Sequence, residues 1–305
     1  MNLRERTFEM LKSAAGQRFK AREIAEWIHH TYPLETLEKL KRSTFLQTES
    51  ALLNQIVAEI GANRPAWQAR FPNLRTTEGR PRRFYWTEKS ETEEIQAAEG
   101  SDQESLASKC IQSADAVPHI LERDLYPKLI EFIASEFGAA AFRIEESTAS
   151  NRRGPGGNKW LYPDVVAIEA LTAGMNKEVI EAVRFSGERR ARLWSFEVKR
   201  LLNRSNVREA YFQAVSNSSW ASFGYLAASE IEGADTLREI QMLYAVHGIG
   251  LIEIDSSSPT ESVVSIPARE RLSIEWTMCS RLADENKDFS AYMKRVRQFY
   301  QTGDL

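Results

Sequence analysis

Residues 193–199 read LWSFEVK, an apolar run that carries one carboxylate and one ammonium two positions apart. In a β-strand alternate residues share a face, so Glu197 and Lys199 project together while Phe196 and Val198 pack on the other side. Upstream, Pro163-Asp164 opens a second apolar run, residues 162–170, which predicts a neighbouring strand. We therefore expect two carboxylates and one lysine to meet at one end of a sheet.

The flanking sequence alternates between helical and extended patterns. We predict, in order, helix 119–136, strands 140–145, 162–170 and 193–199, helix 207–216, strand 223–227, helix 236–247 and strand 250–255. Two antiparallel strands beside parallel crossovers predict an α/β fold, a mixed sheet with helices on both faces, as a domain over residues 118–305.

The N-terminal part has a different pattern. Residues 7–14, 21–31 and 47–61 show helical spacing, with Gly61 as the predicted stop, and residues 75–88 predict a hairpin around Gly79. Three helices followed by a basic hairpin are typical of a winged helix, which we assign to residues 1–88. Its wing suits phosphate contacts through four arginines, Arg75, Arg80, Arg82 and Arg83. Winged helices also bind proteins, and that alternative stays open.

Between the two domains, residues 89–117 are rich in Glu, Ser, Gln and Ala, and we predict a flexible acidic linker. The net charge of −3 is unevenly distributed. Residues 1–88 hold 15 Lys+Arg against 10 Asp+Glu, and the linker holds 2 against 7. The basic N-terminal domain is therefore a candidate phosphate-binding module, or simply a solvated basic surface.

Composition excludes several classes of protein. The two cysteines, Cys110 and Cys279, provide no disulfide framework, and the four histidines are too scattered for structural zinc. No run of about 18 apolar residues suggests a membrane span, and no signal core precedes residue 12. We expect a soluble cytoplasmic protein without a membrane partner.

The three charged side chains match the needs of phosphodiester hydrolysis. That reaction uses a hard cation to neutralise the phosphate and acidify a water, and a group that orients the water. Asp164, Glu197 and the Val198 carbonyl can hold Mg²⁺, or Mn²⁺ in its place, and Lys199 can position the water or stabilise the transition state. Alternatively, Glu197 and Lys199 form a surface ion pair on an edge strand.

The tripeptide ExK is weak evidence by itself, because it occurs twice in this chain. The second copy, Glu285-Asn286-Lys287, lies in a polar setting that predicts a helix, where positions i and i+2 diverge.

Further side chains are candidates for the same site. Glu122, in preference to Glu131, can add a carboxylate from the preceding helix, and Gln213 can bond a water or a phosphate or be an ordinary helix residue. The loop SNRRGPGGNKW (150–160) offers Arg152, Arg153 and Lys159 to DNA, unless it is only a solvated turn.

Several stretches resemble the HrgA-like family of bacterial proteins, in which a HARE-type winged helix precedes a PD-(D/E)xK domain. They are SNRRGPGGNKWLYPD (150–164), LWSFEVKRLLNRSNVREAYFQAVSNSSWASFGYL (193–226), HGIGLIEID (247–255), IPARERLSIEW (266–276) and ADENKDFSAYMKRVRQFYQTGD (283–304). The resemblance implies a restriction-endonuclease-like fold, a divalent metal, DNA as substrate and a role in restriction or defence. Its proposed catalytic pattern falls on Asp164, Glu197 and Lys199.

Two functions are thus expected from this sequence. The first is an Mg²⁺-dependent endonuclease acting on double-stranded DNA, for which a homodimer would supply the two sites of a duplex cut. The second is a DNA-binding transcription regulator whose nuclease-like domain has no catalytic role.

Overall fold

The computed structural model describes residues 2–42, 48–79, 81–104, 120–149 and 160–303. The chain divides into two compact units, Met1–Glu91 with Ile231–Ala234, and Thr92–Glu230 with Asp235–Leu305. Each unit has its own apolar core.

The N-terminal unit is helical with a small antiparallel sheet. Its described residues form α1 (Leu3–Ser13), β1 (Phe19–Lys20), α2 (Ala21–Thr31), α3 (Pro33–Arg42), α4 (Glu49–Arg70), β2 (Leu74–Thr77) and β3 (Arg83–Trp86). The strand order is β1-β3-β2. The core is built from one side of each long helix, with Leu11, Ile24, Ile28 and Ile56 fully buried.

Two predictions for this unit are confirmed and two are wrong. The helix 21–31 and the hairpin around Gly79 lie where the sequence places them. The predicted helix stop at Gly61 is wrong, because α4 continues to Arg70 and packs Trp67 edge-on against Phe8. The prediction of three helices is also wrong, since a further helix, α3, begins at Pro33, where proline fits the first turn of a helix.

The predicted linker 89–117 is corrected over its first part. Glu91–Glu104 forms a helix, α5, and a small cluster buries Ile95 and Ala98 against Leu201. The spacing of three residues puts Ile95 and Ala98 on one helix face. These two apolar residues are buried, although the segment as a whole is acidic. Residues 105–117 of the predicted linker lie outside the described part of the chain.

The second unit contains a six-stranded sheet with the order β4-β5-β6-β7-β8-β9. Its strands are β4 (Ala140–Arg143), β5 (Val165–Ala170), β6 (Ala191–Leu202), β7 (Phe223–Ile231), β8 (Gly250–Glu253) and β9 (Val263–Ile266). The β7–β8 pair is parallel, whereas β4–β5, β5–β6 and β8–β9 are antiparallel. The predicted mixed sheet is confirmed.

Helices cover both faces of this sheet. They are α6 (Leu125–Phe137), α7 (Lys177–Ser186), α8 (Val207–Asn217), α9 (Ala234–His247), α10 (Trp276–Glu285) and α11 (Lys287–Thr302). Phe196 and Val198 share one core with residues of α6, whereas Leu193 shares the other with residues of α10 and α11. Strand β6 therefore has its odd and even residues on opposite faces, as the alternation in LWSFEVK predicts.

The polar sequence around the second ExK copy predicted a continuous helix, and that prediction is wrong. Asn286 is extended (φ −131°, ψ 125°) and separates α10 from α11. Its side-chain oxygen accepts the Asp288 and Phe289 N–H groups and so caps α11, which explains the break. Glu285 and Lys287 thus belong to two different helices.

None of the helices in the described ranges combines the length and apolar character needed to span a bilayer.

Candidate catalytic site

Strands β5 and β6 bring Asp164 and Glu197 to the same end of the sheet. Val165 pairs with Phe196, and one step earlier the Asp164 N–H donates to the Phe196 carbonyl at 3.1 Å. The Asp164 carboxylate accepts the N–H of Val198, the residue after Glu197, at 2.8 Å, and its charge acts on the Glu197 carboxyl. The strand β6 lies inside the sheet, so the alternative of a surface ion pair on an edge strand is wrong.

Glu197 is a buried carboxylate, only 2% exposed. One oxygen accepts the Lys199 ammonium at 2.7 Å, and the other accepts the Asn217 amide at 2.9 Å. Burial and the nearby charge of Asp164 raise the pKa of Glu197 to about 8, although Lys199 and Asn217 oppose the shift. Two carboxylates that lie close together away from water repel each other, so a cation bound between them would be favourable.

Asp164 is held from two directions. Its Oδ2 accepts the Val198 N–H at 2.8 Å, and its Oδ1 accepts the Arg143 guanidinium at 3.0 Å. Arg143 also donates to the Asp164 carbonyl, and its guanidinium carbon lies 3.5 Å from the Tyr126 ring centroid. The carboxylate therefore has a fixed orientation beside β6.

Lys199 remains a cation in this setting. Burial alone would lower its pKa, but the negative charges of Glu197, Glu122 and Asp164 raise it above the usual range. The ammonium is therefore a charged hydrogen-bond donor within this group.

Glu122 lies close enough to Lys199 for its charge to act on the ammonium, whereas no such interaction is seen for Glu131. Glu122 begins a short 3₁₀ helix, Glu122–Asp124, before α6, and accepts the Tyr126 hydroxyl at 3.1 Å. Its charge contributes to the pKa shifts of both Lys199 and Tyr126, and burial together with Asp164 raises the pKa of Tyr126 further. Glu131 is exposed on α6.

Gln213 is buried on α8, with 5% exposure, and its Oε1 has no hydrogen-bond partner among the described residues. It precedes Asn217 by four residues, so both amides lie on one helix face. A buried amide oxygen without a partner is costly and points to a ligand or water.

Two functional side chains were missed from the sequence, Arg143 and Asn217. Asn217 joins Glu197 to the Tyr162 carbonyl through its amide nitrogen, at 2.9 Å each. The available signal was a second amide one helical turn after Gln213. Arg143 has no comparable signal, because its contact with Asp164 joins residues 21 positions apart.

The arginines of the predicted wing are partly engaged in ion pairs. Arg75 bonds Glu232 at 2.8 Å, and Arg82 bonds Glu78 at 2.6 Å. Arg83 is half-buried in β3. Arg80 and the three basic residues of the predicted DNA-contacting loop, Arg152, Arg153 and Lys159, lie outside the described residues.

Within the described ranges, no three or more His, Cys, Asp or Glu side chains are grouped so that they could hold a metal ion. Comparisons with protein-family models, with curated proteins and with solved structures gave no match.

Proposed function

We propose that the protein is a metal-dependent DNA endonuclease with a restriction-endonuclease-like catalytic domain and an N-terminal winged helix. The observation that carries the proposal is the pair of carboxylates at one sheet end, one of them buried with a raised pKa. Such crowding is costly unless a cation or a proton neutralises it. Perturbed groups of this kind concentrate at functional sites.

The donor set suits Mg²⁺. Asp164 and Glu197 supply carboxylate oxygens, and the Val198 carbonyl points to the same side of the strand as the Val198 N–H, which bonds Asp164. Hard cations of this type bind oxygen ligands and retain several waters. When bound, Mg²⁺ (or Mn²⁺) would neutralise charge on the scissile phosphate and lower the pKa of the attacking water.

The protein side chains then have distinct tasks. Lys199, kept protonated by the carboxylates around it, donates to the attacking water or to a phosphate oxygen. Gln213 offers its buried Oε1 to that water. Asn217 and Arg143 are positioning residues that fix the Glu197 and Asp164 carboxylates, and Glu122 adds negative charge at the edge of the site.

The N-terminal unit would select double-stranded DNA or recruit a protein partner. Its β1-β3-β2 sheet and helices agree with a winged helix, while the ion pairs of Arg75 and Arg82 weaken the case for a wing on the phosphates. A cytoplasmic role in bacterial restriction or defence, with a homodimer making the two cuts, belongs to the same proposal.

The test is a plasmid-nicking assay. Supercoiled plasmid incubated with the protein and Mg²⁺ should be nicked or linearised, and EDTA or Lys199→Ala should abolish this, with a loss of about 100-fold or more. Lys287→Ala, the exposed lysine of the second ExK copy, is the matched control and should cut normally. Equal cutting by Lys199→Ala, or cutting in EDTA, contradicts the proposal.

One observation favours the alternative of a DNA-binding regulator. Each carboxylate already has a cationic partner, Arg143 for Asp164 and Lys199 for Glu197. A regulator would bind DNA equally well with Mg²⁺ or EDTA and leave it intact. Isothermal titration of the DNA-free protein with Mg²⁺ or Mn²⁺ separates the two functions, because only the nuclease requires metal binding that Glu197→Gln removes.

A further inference from the structure

A cavity of about 230 Å³ lies within the second unit, and its lining includes Ser216, the residue before Asn217. Two indoles, Trp160 and Trp220, take part in its lining together with Met278 and Arg281. Trp160 is 44% exposed, whereas Trp220 is 1% exposed and is fixed by its Nε1 donating to the Asn217 carbonyl at 2.8 Å. The cavity thus has one rigid aromatic wall and one accessible indole.

The cavity and the carboxylates share their supports. The Ser216 hydroxyl donates to the Trp160 carbonyl at 2.8 Å, and the next residue, Asn217, bonds both the Tyr162 carbonyl and Glu197. Four residue steps separate Trp160 from Asp164, which is at most about 14 Å of extended chain. At roughly 3.4 Å per nucleotide along a strand, the cavity lies within about four nucleotides of a phosphate bound at Asp164.

We propose that this cavity receives one unstacked nucleobase of the DNA strand that is bound at the candidate catalytic site. The position of the strand rests on the proposed function. Aromatic side chains stack on any base, a methionine sulfur contacts ring edges favourably, and a guanidinium adds charge attraction to a base or phosphate. The volume admits a single ring system and excludes a stacked pair.

The proposal has a consequence for the form of DNA preferred. Removing a base from an intact duplex costs stacking and pairing energy, and the cost is least at mismatches and in single strands. DNA with a mismatch or an unpaired stretch should therefore bind more tightly than the matched perfect duplex.

The test measures binding without cleavage. Fluorescein-labelled single-stranded DNA of mixed sequence, and the same length with one central abasic site, are titrated with the full chain in Ca²⁺, and anisotropy is recorded. We expect Trp160→Ala to weaken binding of the intact strand by roughly 5- to 150-fold. The abasic strand should bind the wild-type protein more weakly than the intact strand does, and Trp160→Ala should not distinguish the two.

Two further variants make the result specific. Trp276→Ala removes an indole of similar exposure, 49%, that is not part of the cavity lining, and should bind like wild type. Met278→Trp fills the cavity while leaving Trp160 in place, so it should reproduce the loss even if Trp160→Ala fails to fold. Base-independent binding by the wild type, or an unchanged affinity in Met278→Trp, overturns the proposal.

The same proteins in the plasmid assay separate this inference from the proposed nuclease. Base-dependent binding without any cutting leaves the pocket standing and removes the nuclease. Cutting combined with base-independent binding supports the nuclease and rules out the base-binding cavity.

Discussion

Glu197 carries an ionisable group into a part of the sheet from which water is excluded, and its protonation therefore affects stability. Its folded-state pKa of about 8 lies above the ordinary value of 4.5, so the folded protein holds this proton more tightly than the unfolded chain. The resulting stabilisation is complete below pH 4.5 and is lost as the pH rises toward 8.

We predict that Glu197→Gln makes the unfolding free energy of the metal-free protein less dependent on pH between 6 and 8. One proton taken up on folding contributes a slope of at most about 1.4 kcal/mol per pH unit, and the variant lacks that contribution. Urea unfolding in EDTA at several pH values measures the slope. Glu285→Gln, in the second ExK copy, controls for replacing a carboxylate by an amide. Identical slopes for wild type and Glu197→Gln would contradict the raised pKa.

Residue identities predicted the charged group better than they predicted its supports. Asp164, Glu197 and Lys199 follow from strand alternation and from pairing of adjacent strands, both of which are local rules. Arg143 and Asn217 depend on which element packs against the sheet end, and sequence spacing alone does not determine that packing. Of the two glutamates considered, Glu122 lies within electrostatic reach of Lys199, whereas Glu131 is exposed on α6.

At the scale of elements, the sequence was most informative where the hydrophobic period was strong. Helix α2 was predicted to the residue, and its Ile24, Ala25 and Ile28 are fully buried. Helix α7 was missed although Val179, Ile180 and Val183 follow a helical spacing, and none of its residues is buried in the structure. Helix α5 was missed because acidic side chains dominate its segment, in which Ile95 and Ala98 are the buried apolar residues among the side chains described.

Helix α5 provides a test at this scale. We predict that Ile95→Ala weakens the packing of the helix against Leu201 at a cost of roughly 1–3 kcal/mol of local stability, since Ile95 is the largest apolar side chain of that cluster on α5. A glutamyl endopeptidase should then cleave faster at Glu93 and Glu94. Gln96→Ala, an exposed neighbour on the same helix, should keep the wild-type cleavage rate. An unchanged rate in Ile95→Ala would mean that the contact does not hold the helix.

For the whole molecule, the separate cores of the two units determine which residues a bound ligand should stabilise. The N-terminal core contains residues of α1, α2, α4, β2 and β3, whereas the sheet cores contain residues of the second unit only. All side chains of the candidate site belong to that second unit. A ligand stabilises the cooperative unit whose folded state it binds, and amide exchange reports that stabilisation locally.

We therefore predict that millimolar Mg²⁺, added without DNA, slows amide hydrogen exchange in residues 122–126, 162–166 and 195–199. Residues 24–28 and 52–60, in the core of the N-terminal unit, should exchange at the same rate with Mg²⁺ and with EDTA. A protein carrying Asp164→Asn and Glu197→Gln should show no Mg²⁺ effect in either unit, which controls for nonspecific ion effects. Slower exchange spread evenly over both units would contradict the division into two independent cores, whereas an absence of any change in the wild type would remove the metal site, and with it the proposed hydrolysis.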